Sequence, residues 1–214
     1  MSKRPDSDSS HTPASRSLGK HGRLRNPGAA RTGVEVTPLT STAAKAMAKK
    51  SKRTSTSSGQ EVWSIEPGDR ASGVILHVPH ASRHIPAVER ERFLLDSASL
   101  EAELDAITDA DTDRLARAAC RNARRPPWIF FNRTSRLLVD PERFPDKREE
   151  MLAVGMGPVY LRTTDQRELR APDPTDDERL MDSYYWPYAR AFERLVEERL
   201  NEVGQVLIID LHSY

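Results

Sequence analysis

The chain has 214 residues, one cysteine and a formal net charge of +1, which suits one ordinary domain with appendages and excludes a disulfide framework or a thiolate zinc cage. The near-neutral total hides two unlike parts: residues 1–60 carry 12 Lys/Arg and 3 Asp/Glu, a net of +9, and residues 61–214 carry 21 and 29, a net of −8. No apolar run approaches the ~18 residues of a membrane span and no signal-peptide core stands near the amino terminus, so a cytoplasmic protein without a membrane partner is expected.

Residues 1–60 are rich in Ser, Thr, Lys, Arg and Gly, with almost no large apolar side chain before Val62 and Trp63. Such a segment buries too little apolar surface to offset the entropy of ordering it, and it is read as a disordered basic tail. The cluster Lys45, Lys49, Lys50, Lys52 and Arg53 could meet nucleic acid, but a solvated tail accounts for it, and nucleic acid is not the expected partner. A transit peptide, or a start codon assigned too far upstream, are the other readings of the same stretch. Residues 61–214 are read as the folded domain.

Val74 to Pro79 is a β-branched run bounded by Gly73 and proline, which predicts a central strand. Helical spacing follows over Ala87–Leu95 and then over Ser97–Asn122, where Leu100, Leu104, Ile107, Leu115 and Ala119 approximate one apolar stripe behind a Ser97 or Ser99 cap. Pro126-Pro127 ends that helix before a strand at Trp128–Phe131, and Leu137–Val139 suggests a third, short strand. Residues 141–176 show little periodicity, as a functional or mobile loop does. A long helix is expected over Asp177–Val203, with Leu180, Tyr184, Tyr188, Phe192, Leu195 and Val196 inward and Gly204 as its stop. Residues 205–211 close the chain as a buried strand, or as an exposed apolar edge if the sheet's remaining strands are missing. Strands alternating with long helices predict an α/β layer fold with a largely parallel sheet. Cys120, inside a helical pattern, reads as a packed thiol.

Four groups carry the candidate chemistry. His212 stands at the carboxyl end of the last strand with Asp210 two residues before it, the placement by which α/β enzymes present a metal ligand to a cleft. His77, His80 and His84 lie within eight residues where the first strand leaves the sheet. Side-chain alternation predicts His77 packed in the sheet, His80 at the ligand-binding strand end and His84 in the loop. Asp105, Asp109 and Asp113 recur every four residues on one predicted helix face, a repulsive arrangement unless a cation or basic group lies against it, which singles out Asp109 as a metal or arginine partner. Arg136 before a short strand, with Asp140 and Arg143 after it, suits an anionic substrate or a pair of surface ion pairs.

Read in order, Val78-Pro79-His80-Ala81-Ser82-Arg83-His84-Ile85-Pro86, the stretch Leu104 to Leu115 around Asp109 and Asp113, Ser135-Arg136-Leu137-Leu138-Val139-Asp140, Tyr184-Tyr185-Trp186-Pro187-Tyr188 and Asp210-Leu211-His212-Ser213 resemble the N-formylglutamate amidohydrolase family from about Val74 onward. The resemblance implies an α/β/α sandwich around a mixed, largely parallel sheet, similar to the zinc carboxypeptidases. It implies zinc-dependent hydrolysis of an N-formyl or N-acyl amide on an acidic amino acid. Carried over by position, it implies zinc held by His80, Asp109 and His212, an open position for water, and Arg136 and Arg143 gripping substrate carboxylates. Asp140 would orient an arginine and Asp210 would orient His212. Relatives continue past the Asp-Leu-His-Ser motif, so the chain is expected to be a shortened copy whose general base lies beyond Tyr214, with Glu149 and Glu150 as weaker candidates near the cleft. A chain that only binds is the alternative reading.

Overall fold

The structure, a computed structural model, describes residues 62–213. The expected basic tail at 1–60 lies outside the described residues. Four strands form one mixed sheet in the order β1-β3-β2-β4, with β1 at Trp63–Glu66, β2 at Val74–Val78, β3 at Trp128–Asn132 and β4 at Leu207–Asp210. β2 runs parallel to β3 and to β4, and β1 is antiparallel to β3. The strand β1 has no strong sequence pattern of its own; it is fixed by pairing and by Trp63 stacking on Phe130 at 5.9 Å.

The helices are α1 (Ala87–Arg90), α2 (Ser97–Ile107), α3 (Thr112–Asn122), α4 (Pro174–Leu180) and α5 (Trp186–Val203). Alternation along β2 and β3 sends Ile75 and Phe130 to one face, where Tyr188, Ala191 and Leu195 of α5 pack, and Leu76, Val78, Ile129 and Phe131 to the other, against Ala116 of α3. Both faces of the two central strands are therefore dry, which is why they read as continuous apolar runs rather than alternating ones.

Several sequence expectations are corrected. The single helix expected over Ser97–Asn122 is two, broken between Ile107 and Thr112, with Asp111 in the left-handed conformation at φ 63°. The cap of α2 is Asp96, whose carboxylate accepts from Ser99 N–H, rather than Ser97 or Ser99. After the break the stripe shifts: Leu115 and Ala119 are exposed, and Thr112 and Ala116 are buried. The run Ala87–Leu95 yields only the one-turn α1. Leu137–Val139 is not a strand but a buried turn, in which Leu138 N–H donates to Ser135 O and Leu137 N–H to Ser135 Oγ.

The last helix starts earlier than expected, at Pro174 with Asp173 as its cap, and passes through a widened π turn at Met181–Tyr185 before α5. Pro187 supplies the reason: it has no N–H for the carbonyl one turn back, and its ring would collide with that carbonyl in a regular helix. Gly204 ends α5 in the left-handed conformation at φ 79°. The terminal strand is not buried. Leu207, Ile208 and Ile209 are 57%, 39% and 39% exposed, because β4 pairs with β2 alone and lies at the sheet edge.

The long stretch after Asp140 is anchored by two further cores. One joins Leu137, Tyr160 and Leu169 to Leu100 and Leu104 of α2, and the other joins Leu138, Val139 and Val159 to Leu180 and Tyr185. A 3-10 turn at Glu150–Val154 and bridges Met156↔Tyr160 and Arg162↔Glu168 give it local structure. Among the described residues, no helix is long and apolar enough to cross a membrane.

Candidate metal centre

Three chain segments meet at the carboxyl ends of β2 and β4. Past Pro79 the chain turns away from the sheet, and Asn132, the last residue of β3, holds that turn by donating from Nδ2 to Pro79 O at 2.9 Å. The break between α2 and α3 is bonded to the same turn, since Asp109 N–H donates to His80 O at 3.0 Å. Thr112 Oγ donates to Asp109 O, which closes the start of α3 onto the break. The end of β4 is tied in turn to both: Leu211 N–H donates to His77 O, and Ser213 Oγ donates to Ala110 O.

This framework brings His80, Asp109 and His212 together. His212 Nδ1 is 2.8 Å and His80 Nδ1 is 3.6 Å from Asp109 Oδ2, with the two rings 5.3 Å apart. On its opposite edge His80 Nε2 lies 3.0 Å from Asp140 Oδ1. Asp140 is fully buried and accepts from Arg136 Nε and Nη2 and from Tyr160 Oη on its other oxygen. Burial by itself would raise the Asp140 carboxyl, but the His80 and Arg136 contacts hold it below the usual carboxylate range, so it stays ionised. An ionised Asp140 claims the proton on Nε2, and His80 Nδ1 is left buried without a hydrogen-bond partner among the described residues.

Arg143 reaches the same carboxylate less closely, Nε to Asp140 Oδ2 at 3.6 Å, and its Nε is also buried without a hydrogen-bond partner among the described residues. Glu149 accepts from Phe144 N–H and Met151 N–H and lies 3.4 Å from Arg143 Nη1, so it organises the loop and caps its 3-10 turn. Glu150 is exposed.

Two expectations fail on their reasons or partners. Asp109 reaches the cluster through the helix break and not through a shared helix face; Asp105 and Asp113 pair instead with Arg83 and Arg117. Asp210 does not orient His212. In the β2–β4 register it is the partner of His77, and its Oδ1 is 2.5 Å from His77 Nδ1. The second ring nitrogen of His77 bonds the Tyr188 hydroxyl. His77 packs within the sheet against Phe192 and Phe130, and burial, partly offset by Asp210, lowers its pKa. His84 lies in the loop after the turn, with its carbonyl accepting from Ser135 N–H.

One residue was not singled out from sequence. Glu142 Oε2 lies 3.3 Å from His80 Nε2 and 3.6 Å from His212 Nε2, and its Oε1 lies 3.8 Å from His77 Nδ1. Burial raises its carboxyl. Its position follows from the turn at Pro141, where Glu142 N–H donates back to Asp140 Oδ1. The only signal in the sequence was its place two residues beyond Asp140. His80, Glu142 and His212 each offer a ligand atom within 4.8 Å of the others, as do His77, Glu142 and Asp210.

Fold and site together define an α/β protein with a His/carboxylate group able to hold a metal where its parallel strands end. The family model for N-formylglutamate amidohydrolase matches residues 72–214, and the chain belongs to that family. Among solved structures it is similar to the N-formylglutamate amidohydrolase of Ralstonia eutropha JMP134, with a TM-score of 0.60 and 20% identity over 71% of this chain and 57% of that one. It is also similar to a gene product of Agrobacterium tumefaciens, with a TM-score of 0.57 and 19% identity over 76% and 60% of the respective chains. At these identities the likeness is one of fold, and the chain spans less than two thirds of the length of either structure. No curated protein matches the chain.

Proposed function

We propose that the chain is a zinc-dependent amidohydrolase that removes a formyl or other acyl group from the nitrogen of an acidic amino acid, N-formylglutamate being the reference substrate. The metal is assigned to His80 Nδ1, Asp109 and His212 Nδ1. The observation that carries this is the orphaned His80 Nδ1: a buried imidazole nitrogen aimed at a carboxylate, with its other nitrogen fixed by Asp140. A carboxylate on the far side of a ligating imidazole sets its tautomer and raises its basicity. The alternative set through the Nε2 atoms and Glu142 is disfavoured, because it would take His80 Nε2 from Asp140 and leave Nδ1 buried and unsatisfied.

Two imidazoles and one carboxylate suit zinc and leave a position open, and in such a set the ion polarises an amide carbonyl and brings a water's pKa toward ~7. The residues around it orient the substrate. Arg136 uses Nε and Nη2 on Asp140, keeping Nη1 available, and Arg143 keeps an unbonded Nε. These donors are assigned to the substrate carboxylates, for which a guanidinium fork is the matched partner.

Formate release from N-formylglutamate by the full chain, measured with zinc, with chelator and in His212→Ala, tests the reading. Release that falls by at least about 100-fold in the variant and is abolished by chelation supports it. A folded protein that binds no metal and releases no formate overturns it, and the family relationship would then describe a binding protein.

A further inference from the structure

Beside the proposed zinc ligands stands a second set of donors that they do not use. His77 on β2 and Asp210 on β4 are partners in the parallel register, so the two side chains leave the sheet next to each other. Glu142 Oε1 faces the same His77 nitrogen. One ligand atom from each of the three lies within 4.8 Å of the others.

The charge balance is what calls for an occupant. Within ion-pairing distance, Glu142 and Asp210 meet only histidines among the described residues, with no arginine or lysine. Glu142 makes one hydrogen bond among those residues, through its backbone N–H, and none through its carboxylate. Two carboxylates converging on one imidazole edge, with no arginine or lysine beside them, form a favourable place for a cation.

The environment of His77 suits a ligand. Tyr188 is buried, and its hydroxyl lies in hydrogen-bond contact with His77 Nε2. With His77 Nε2–H donating to the phenol oxygen, the Nδ1 lone pair points toward Asp210 and Glu142. The other tautomer, with Nδ1–H donated to Asp210 and the phenol donating to Nε2, satisfies the same atoms when no cation is bound.

We propose that His77, Glu142 and Asp210 form a second divalent-cation site, adjoining the one assigned to His80, Asp109 and His212, with Glu142 as the carboxylate that faces both groups. One imidazole and two carboxylates suit zinc, manganese or cobalt rather than a thiophilic ion or the all-oxygen shell of calcium. The proposal requires no particular substrate and stands apart from the amidohydrolase reading.

The test is a Co2+ titration of the metal-free full chain, followed by visible absorption and closed by elemental analysis. The wild-type chain is expected to take up about two equivalents, and Asp210→Asn and Glu142→Gln about one each. Asp210→Asn preserves shape at a half-exposed side chain, so folding is not at stake. His212→Ala is expected to lose the other equivalent and to keep the one that Asp210→Asn removes. A single wild-type equivalent, lost in His212→Ala and retained in Asp210→Asn, overturns the second site and leaves the first standing. Two equivalents that survive both Asp210→Asn and Glu142→Gln also overturn it. No bound cobalt in folded wild-type protein overturns both sites.

Discussion

His80 Nε2 lies 3.0 Å from Asp140 Oδ1, and this bond decides which edge of the imidazole faces Asp109. Asp140 is held in turn by Arg136 and Tyr160, so the ring inherits its orientation from three side chains that are not among the assigned metal ligands. Asp140→Asn is expected to weaken zinc binding by about 10–100-fold. The same change leaves the half-buried Arg136 without its anion, at a cost of about 3–5 kcal/mol in stability. A zinc competition titration and a urea melt on one preparation separate the effects. Zinc affinity equal to wild type would remove Asp140 from this role.

The helix break at Asp111 positions Asp109 two residues earlier. Asp111 holds φ 63°, a conformation that glycine adopts freely and a β-branched residue resists. Asp111→Val is expected to cost about 1–2 kcal/mol and to weaken zinc binding with it, and Asp111→Gly should stay close to wild type in both. Equal thermal midpoints for the two variants would mean that the break is not set by this residue.

Stability should fall at acid pH through the Glu89–Arg179 ion pair. The Glu89 side chain is 3% exposed and accepts from both Nη atoms of Arg179 at 2.7 Å and from the Tyr184 hydroxyl at 3.2 Å. Desolvation raises its carboxyl, but the Arg179 bonds outweigh that and hold it below its ordinary value. A carboxyl depressed in the fold stabilises the protein above its unfolded pKa, about 4.3, and that contribution fades as pH drops through the lower folded value. Arg179→Ala is therefore expected to cost about 1–3 kcal/mol at pH 7, discounted for the partial exposure of Arg179. The gap to wild type should narrow in denaturant melts below about pH 4. A gap that stays constant with pH would assign the loss to packing.

The edge strand β4 presents Leu207, Ile208 and Ile209 to solvent. An apolar edge with unpaired backbone groups recruits other chains. Self-association in sedimentation velocity is expected to rise with concentration, and Ile208→Lys should reduce it with little loss of thermal stability. Unchanged association in that variant would place the sticky surface elsewhere.

Much of this was written locally. The β-branched run at β2, the aromatic run at β3, the stripe of α5 and the Gly204 stop each follow from short-range pattern. So do the placement of His80 and His212 at strand ends and the grouping of Arg136 with Asp140. These depend on side-chain period, proline and glycine, which act over a few residues. The helix break is the instructive failure. Leu100, Leu104 and Leu115 kept a helical rhythm across it, and nothing local revealed that Asp109 N–H would be taken by His80 O.

What the sequence determined by itself was the alphabet of the site, three histidines with acidic and arginine partners, and the strands that present them. Which partner serves which ring was decided only by tertiary structure. The β2–β4 register gave Asp210 to His77 instead of His212, and the turn at Pro141 brought Glu142 before all three rings. Hydrogen bonds and charge contacts between residues 60 to 133 positions apart depend on sheet register and layer packing, which no window of sequence contains.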